Sequence, residues 1–116
     1  MKKINLAVTG CLGRMGRQII KSAKINKSFK LVALTEGRKI NKKISGINVE
    51  QNNKMIFKNS HVIIDFSTPK CTFQILEIAS KLNKKVVIET TGFSKKEEIL
   101  IKKFSKKIPI LKAGNM

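Results

Sequence analysis

Between residues 10 and 16 the chain reads Gly10-Cys11-Leu12-Gly13-Arg14-Met15-Gly16, three glycines at a spacing of three. Glycines placed this way let a chain turn sharply, bring its backbone close to a ligand and pack a helix near a strand. Residues 4–9, Ile-Asn-Leu-Ala-Val-Thr, form a short apolar run suited to a buried strand, and helical spacing starts at Arg14. A glycine bend between a strand and a helix aims the first helical N–H groups outward, with the positive end of the helix dipole behind them. That arrangement suits a phosphate or pyrophosphate. Leu12 stands where the G-x-G-x-x-G form has its second glycine. The alternative that needs no ligand is a tight turn.

Glu36 closes a second strand-like run, 20 residues beyond Gly16. A carboxylate there accepts both hydroxyls of an adenosine ribose and repels a 2′-phosphate, a repulsion that Arg38 and Lys39 would offset. Two further runs end in Asp65-Phe66-Ser67-Thr68-Pro69 and Glu89-Thr90-Thr91-Gly92. Both ends fall on the carboxyl edge of a parallel sheet, where open α/β folds bind ligands. Asp65 is read as ordering its loop, in preference to acting as a catalytic acid. His61, the single histidine, lies at the opposite edge and is read as a surface or internally bonded residue. Cys11 lies where a helix dipole would lower its pKa, but is read as a small turn-filling residue rather than a reactive thiol. One histidine, two cysteines and seven acids assemble no Ser-His-Asp triad and no metal cluster. No catalytic residue and no metal ligand is therefore assigned.

Strands are expected over 4–9, 29–35, 62–66, 85–89 and 108–111. Helices are expected over 14–27, burying Met15, Ile19, Ile20 and Ala23, and over 68–82, burying Phe73, Leu76, Ile78, Ala79 and Leu82. A third helix runs from an N-cap at Ser94, with Glu97 completing a capping box, through Ile99, Leu100, Lys103 and Phe104. Pro69 suits a first helical position. Residues 37–54 are polar and rich in lysine and asparagine, and read as a surface excursion with a short strand near 47–49. Strands this apolar are covered on both faces, so alternation of strand and helix predicts a single α/β domain: a Rossmann-type parallel sheet with helices on either side.

A net charge of +18 raises nucleic acid as a partner. Against it, 22 of the 25 basic residues are lysines spread along the chain, and no Trp or Tyr is present to stack on bases. A basic surface would equally attract an anionic dinucleotide. The other alternative is a nucleotide-sensing module without chemistry of its own. No apolar run approaches the ~20 residues of a membrane helix, and the first strand is too short for a signal-peptide core; a cytoplasmic protein is expected. The sequence ends directly after a strand, where a ligand-binding loop normally follows, so a longer protein is expected.

Together, GCLGRMG at 10–16, Glu36, DFSTP at 65–69, TTGF at 90–93 and AGNM at 113–116 resemble the 4-hydroxy-tetrahydrodipicolinate (dihydrodipicolinate) reductase family over the whole chain. The resemblance implies an oxidoreductase of lysine and diaminopimelate synthesis that reduces its cyclic substrate with NADH or NADPH, usually as a homotetramer. It implies that Gly10, Cys11, Leu12, Gly13, Arg14 and Met15 hold the pyrophosphate and Glu36 the adenosine ribose. Glu89, Thr90 and Thr91, with Ala113, Gly114, Asn115 and Met116, would embrace the nicotinamide side. The family's catalytic histidine and lysine belong to a second, substrate-binding domain beyond residue 116. Two positions depart from the family pattern. Glu89 replaces a glycine whose backbone meets the nicotinamide carboxamide. Gly37 replaces an arginine that often contacts the 2′-phosphate, with Arg38 one residue on as a substitute. NADH is therefore expected to bind at least as well as NADPH.

Overall fold

The computed structural model describes residues 2–113. In chain order the elements are β1 (Ile4–Thr9), α1 (Arg14–Ile25), β2 (Phe29–Glu36), β3 (Lys43–Ile44), β4 (Ile47–Gln51), α2 (Lys54–Phe57), β5 (Val62–Asp65), α3 (Pro69–Leu82), β6 (Lys85–Ile88), α4 (Lys95–Phe104) and β7 (Ile110–Lys112). They form one seven-stranded sheet of order β3-β4-β2-β1-β5-β6-β7, in which only β3 runs antiparallel to its neighbour. The expected Rossmann-type α/β sheet is present.

Alternation along the central strands sends side chains to two cores. Ala7, Ala33, Ile63, Val86 and Ile88 face α3 and α4, where Ile75, Leu76, Ala79 and Ile101 meet them. Val8, Leu34 and Val49 face α1, packing with Ile20 and Cys11. On this second face, a nearly apolar cleft of about 360 Å³ stays open among Leu6, Ile19, Ala23, Val62, Ile64 and Val87.

Helix starts follow their caps. Thr68 Oγ1 accepts from the Cys71 N–H with Pro69 at the first helical position, and both bonds of the Ser94–Glu97 capping box are made. Asn53 caps α2.

Two expectations need correction. Met15 was expected in the core but is half exposed, because Gly16 takes the inward position beside the bend. α4, for which no buried face was expected in advance, buries Ile101 and leaves Ile99 and Leu100 exposed, since that helix leans on the sheet by a narrow stripe. Residues 37–54 hold more structure than one short strand. β3 and β4 form a hairpin around Ser45 and Gly46, both at positive φ, and β4 extends the sheet beside β2. α2 follows it.

Candidate nucleotide-binding site

The bend after β1 is fixed by two glycines that the fold requires. Gly10 has φ +65°, and a Cβ on it would lie 2.5 Å from the Phe66 carbonyl oxygen. A Cβ on Gly16 would lie 2.4 Å from the Gly10 carbonyl oxygen, so a side chain there would push α1 off the strand. Gly13 differs. Its φ is −72°, and a Cβ would meet only the Gly10 oxygen, at an ordinary 3.5 Å. The fold does not need glycine at 13; a ligand approaching the backbone does.

The amide groups of the bend divide in the same way. Cys11 N–H donates to the Thr35 carbonyl (3.3 Å), Leu12 N–H to Glu36 Oε2 (2.7 Å) and Gly13 N–H to the Gly10 carbonyl (3.1 Å). The N–H groups of Arg14, Met15 and Gly16 have no acceptor among the described residues, and no acid stands in the first turn. The other three helices start on a side-chain cap, whereas the N-cap of α1 is Gly13, which has no side chain to offer. Three aligned donors with the helix dipole behind them are a ready acceptor of negative charge.

These amides face a cleft of about 290 Å³ lined by Gly13, Arg14, Met15, Gly16, Phe66, Ser67, Glu89, Thr90 and Thr91. The structure thus brings together the bend and the ends of β5 and β6, as the order of motifs predicted. A larger, polar cleft of about 600 Å³ lies beside β3 and β4, lined by residues such as Lys39, Lys42, Asn48 and Gln51. It offers no uncapped helix end, so the smaller cleft carries the candidate site.

Asp65 holds the site's floor. It is fully buried, and Oδ1 accepts from Thr9 Oγ1 (2.6 Å), the Ser67 N–H (3.1 Å) and Ser67 Oγ. Oδ2 accepts from Thr72 Oγ1 and from Thr90 Oγ1 (3.0 Å). One carboxylate therefore ties β1, β5, α3 and the loop after β6 together, the loop-ordering role expected of it. Thr9 and Thr72 were not singled out in the sequence; the cue would have been hydroxyl residues at strand ends and in a first helical turn.

The remaining residues fall as follows. Glu36 lies at the end of β2, with Oε2 on the bend and no partner for Oε1 among the described residues. Ala113 N–H donates to the Ile88 carbonyl (2.8 Å), which places it beside β6. Gly114, Asn115 and Met116 lie outside the described residues. His61 accepts the Asn5 N–H at Nδ1 (2.8 Å) at the amino edge, away from the cleft.

Cys11 is fully buried against α1 and does not present its thiol to the cleft. Burial, reinforced by the charge of Glu36, pushes that thiol from 9.0 up to about 11. The helix dipole does not win here. At pH 8 only about one Cys11 in a thousand is thiolate, and it is shielded, while Cys71 is partly exposed. A maleimide should therefore label Cys71 alone in the folded chain, read by mass spectrometry; comparable labelling of Cys11 would contradict the packing of the bend. Because the folded value lies above the unfolded one, the unfolded chain loses this proton first, and stability should decline as pH rises above about 9.

Comparison with known proteins agrees with the geometry. A family model described as dihydrodipicolinate reductase, N-terminus, matches residues 4–116. The chain is 68% identical over 116 residues to a 4-hydroxy-tetrahydrodipicolinate reductase of Pelagibacter ubique, covering 100% of this chain and 45% of that protein. It thus spans about half the length of the curated relatives it matches. A dipicolinate-bound dihydrodipicolinate reductase from Paenisporosarcina sp. TG-14 superposes with a TM-score of 0.72 at 23% identity, over 89% of this chain and 43% of that one. Myo-inositol 2-dehydrogenase from Lactobacillus plantarum superposes with a TM-score of 0.76 at 18% identity, over 97% and 36%, which shows the fold it shares. Matched by that family model over residues 4–116, the chain belongs to the dihydrodipicolinate reductase N-terminus family.

Proposed function

We propose that this chain is the cofactor-binding half of a reductase that converts 4-hydroxy-tetrahydrodipicolinate to tetrahydrodipicolinate in lysine and diaminopimelate synthesis. Family membership and fold support a nicotinamide dinucleotide as the cofactor. The observation that carries the reading is the uncapped start of α1 beside Gly13, the one glycine of the bend that the fold does not require.

In this reading the N–H groups of Arg14, Met15 and Gly16 bind the pyrophosphate. Glu36 keeps Oε2 on the Leu12 N–H, which holds the bend, and offers Oε1 to the ribose hydroxyls of the adenosine. The nicotinamide end then runs toward Glu89, Thr90 and Thr91. When bound, the cofactor supplies the hydride. The residues of this chain fix its position and exclude water from one side, while the substrate is held by the rest of the protein, working in the cytoplasm as a homotetramer. The 116 residues alone should bind dinucleotide and turn over nothing, because hydride transfer needs both reactants held in register. Reduction of the substrate by this chain alone would refute that division of labour.

NADH should bind at least as tightly as NADPH. Glu36 repels a 2′-phosphate, and Gly37 beside it has no side chain to pair with one. Calorimetric titration of both cofactors checks this; a tenfold preference for NADPH would defeat it.

A further inference from the structure

We propose that Glu89 makes this site distinguish the two redox forms of its cofactor, holding the oxidised, cationic nicotinamide more tightly than the reduced, neutral one. The inference rests on the reading above, which runs the nicotinamide toward the end of β6. Glu89 extends the strand ladder by one residue, its N–H donating to the Asp65 carbonyl at 2.9 Å. Strand alternation therefore still holds there. Val86, Ile88 and Thr90 are buried on the α3–α4 side, whereas Val87 faces the open cleft beside α1. Glu89 shares the parity of Val87, so its side chain leaves the sheet on the face where α1 begins.

It is the one acid that lines the candidate cleft; Asp65, at the end of the neighbouring strand β5, is sealed beneath it by hydroxyl groups. Among the described residues Glu89 makes no side-chain hydrogen bond, and the only salt bridge joins Lys112 to Glu98. Arg14 lines the same cleft without pairing with it. A carboxylate without a partner is thus left at the place the ring would occupy.

The two forms of nicotinamide differ by one hydride, and hence by one positive charge on the ring. A fixed negative charge a few ångströms away, partly desolvated by the bound ring, favours the cation and is indifferent to the neutral form. A tenfold bias of this kind corresponds to about 30 mV on a two-electron couple. It makes the bound reduced cofactor a stronger hydride donor and slows release of the oxidised product.

The test is calorimetric titration of this chain and of Glu89→Gln with NAD⁺, NADH and ADP-ribose at ~0.15 M salt, where loose association with the basic surface is screened. Glu89→Gln should weaken NAD⁺ about tenfold while leaving NADH and ADP-ribose unchanged, the latter also reporting an intact fold. Equal losses for NAD⁺ and NADH would overturn the proposal, since the carboxylate would then be bonding the carboxamide common to both. An unchanged NAD⁺ to NADH ratio would overturn it as well, pointing to neutralisation by Arg14. If ADP-ribose fails to bind the unmodified chain, the glycine-bend reading falls first and takes this inference with it.

Discussion

Replacing Asp65 with alanine should destabilise the domain by about 3–5 kcal/mol, a large share of the ~5–15 kcal/mol that holds a domain together. The side chain is fully buried and accepts from Thr9, Ser67, Thr72 and Thr90; its removal leaves the Thr9 hydroxyl and the Ser67 N–H with no acceptor, and the hydroxyls of Thr72 and Thr90 with only the backbone carbonyls of Thr68 and Asp65, at 3.1 and 3.3 Å. The loops after β5 and β6 would loosen together, and the cleft they wall would lose its shape. Urea unfolding measures the loss, and Asp65→Asn, which keeps part of the acceptor set, should fall in between. A loss below about 1 kcal/mol would mean that the four hydroxyls find other partners.

The glycines of the bend should separate into two kinds. Gly16→Ala forces a Cβ to within 2.4 Å of a backbone oxygen and 3.0 Å of the Cys11 Cα, neither of which is a flexible side-chain end. It should cost about 3 kcal/mol of stability and abolish dinucleotide binding by shifting the start of α1. Gly13→Ala meets nothing closer than 3.5 Å, so it should cost under about 1 kcal/mol in stability. Its methyl group would stand on the cleft wall in front of the amides, and dinucleotide affinity should fall about tenfold or more. Thermal unfolding and calorimetry on the same samples separate the two effects. Equal stability losses, or a Gly13→Ala chain that binds normally, would mean that all three glycines serve the turn and none the ligand.

The reach of sequence reasoning can be judged residue by residue. The strand–bend–helix unit at 4–25 was legible because strand and helix periods meet at a run of glycines. Thr68-Pro69 and Ser94–Glu97 were legible because capping is local chemistry, written within four residues. The hairpin of β3 and β4 was missed because its strands are short and polar and its pairing is decided by β2, far away in sequence; the Ser45-Gly46 turn was the available cue. The exposure of Met15 and the burial of Ile101 depend on how each helix is rotated against the sheet, which propensity does not encode. Of the site, the order of motifs along the carboxyl edge was legible. The pairing of Glu36 with the Leu12 N–H, and the convergence of hydroxyls on Asp65, needed three-dimensional register.

The charge of +18 means that almost any anion will associate with this surface at low salt, so binding alone is a blunt observation. Backbone amide NMR during titration with ADP-ribose at ~0.15 M salt, where loose surface association is screened, is the most direct test of the central claim. The account predicts saturable shifts that are largest at the N–H groups of Arg14, Met15 and Gly16, with Glu36 moving alongside them. Shifts spread over the lysine-bearing faces, with those three amides unmoved at saturation, would contradict it.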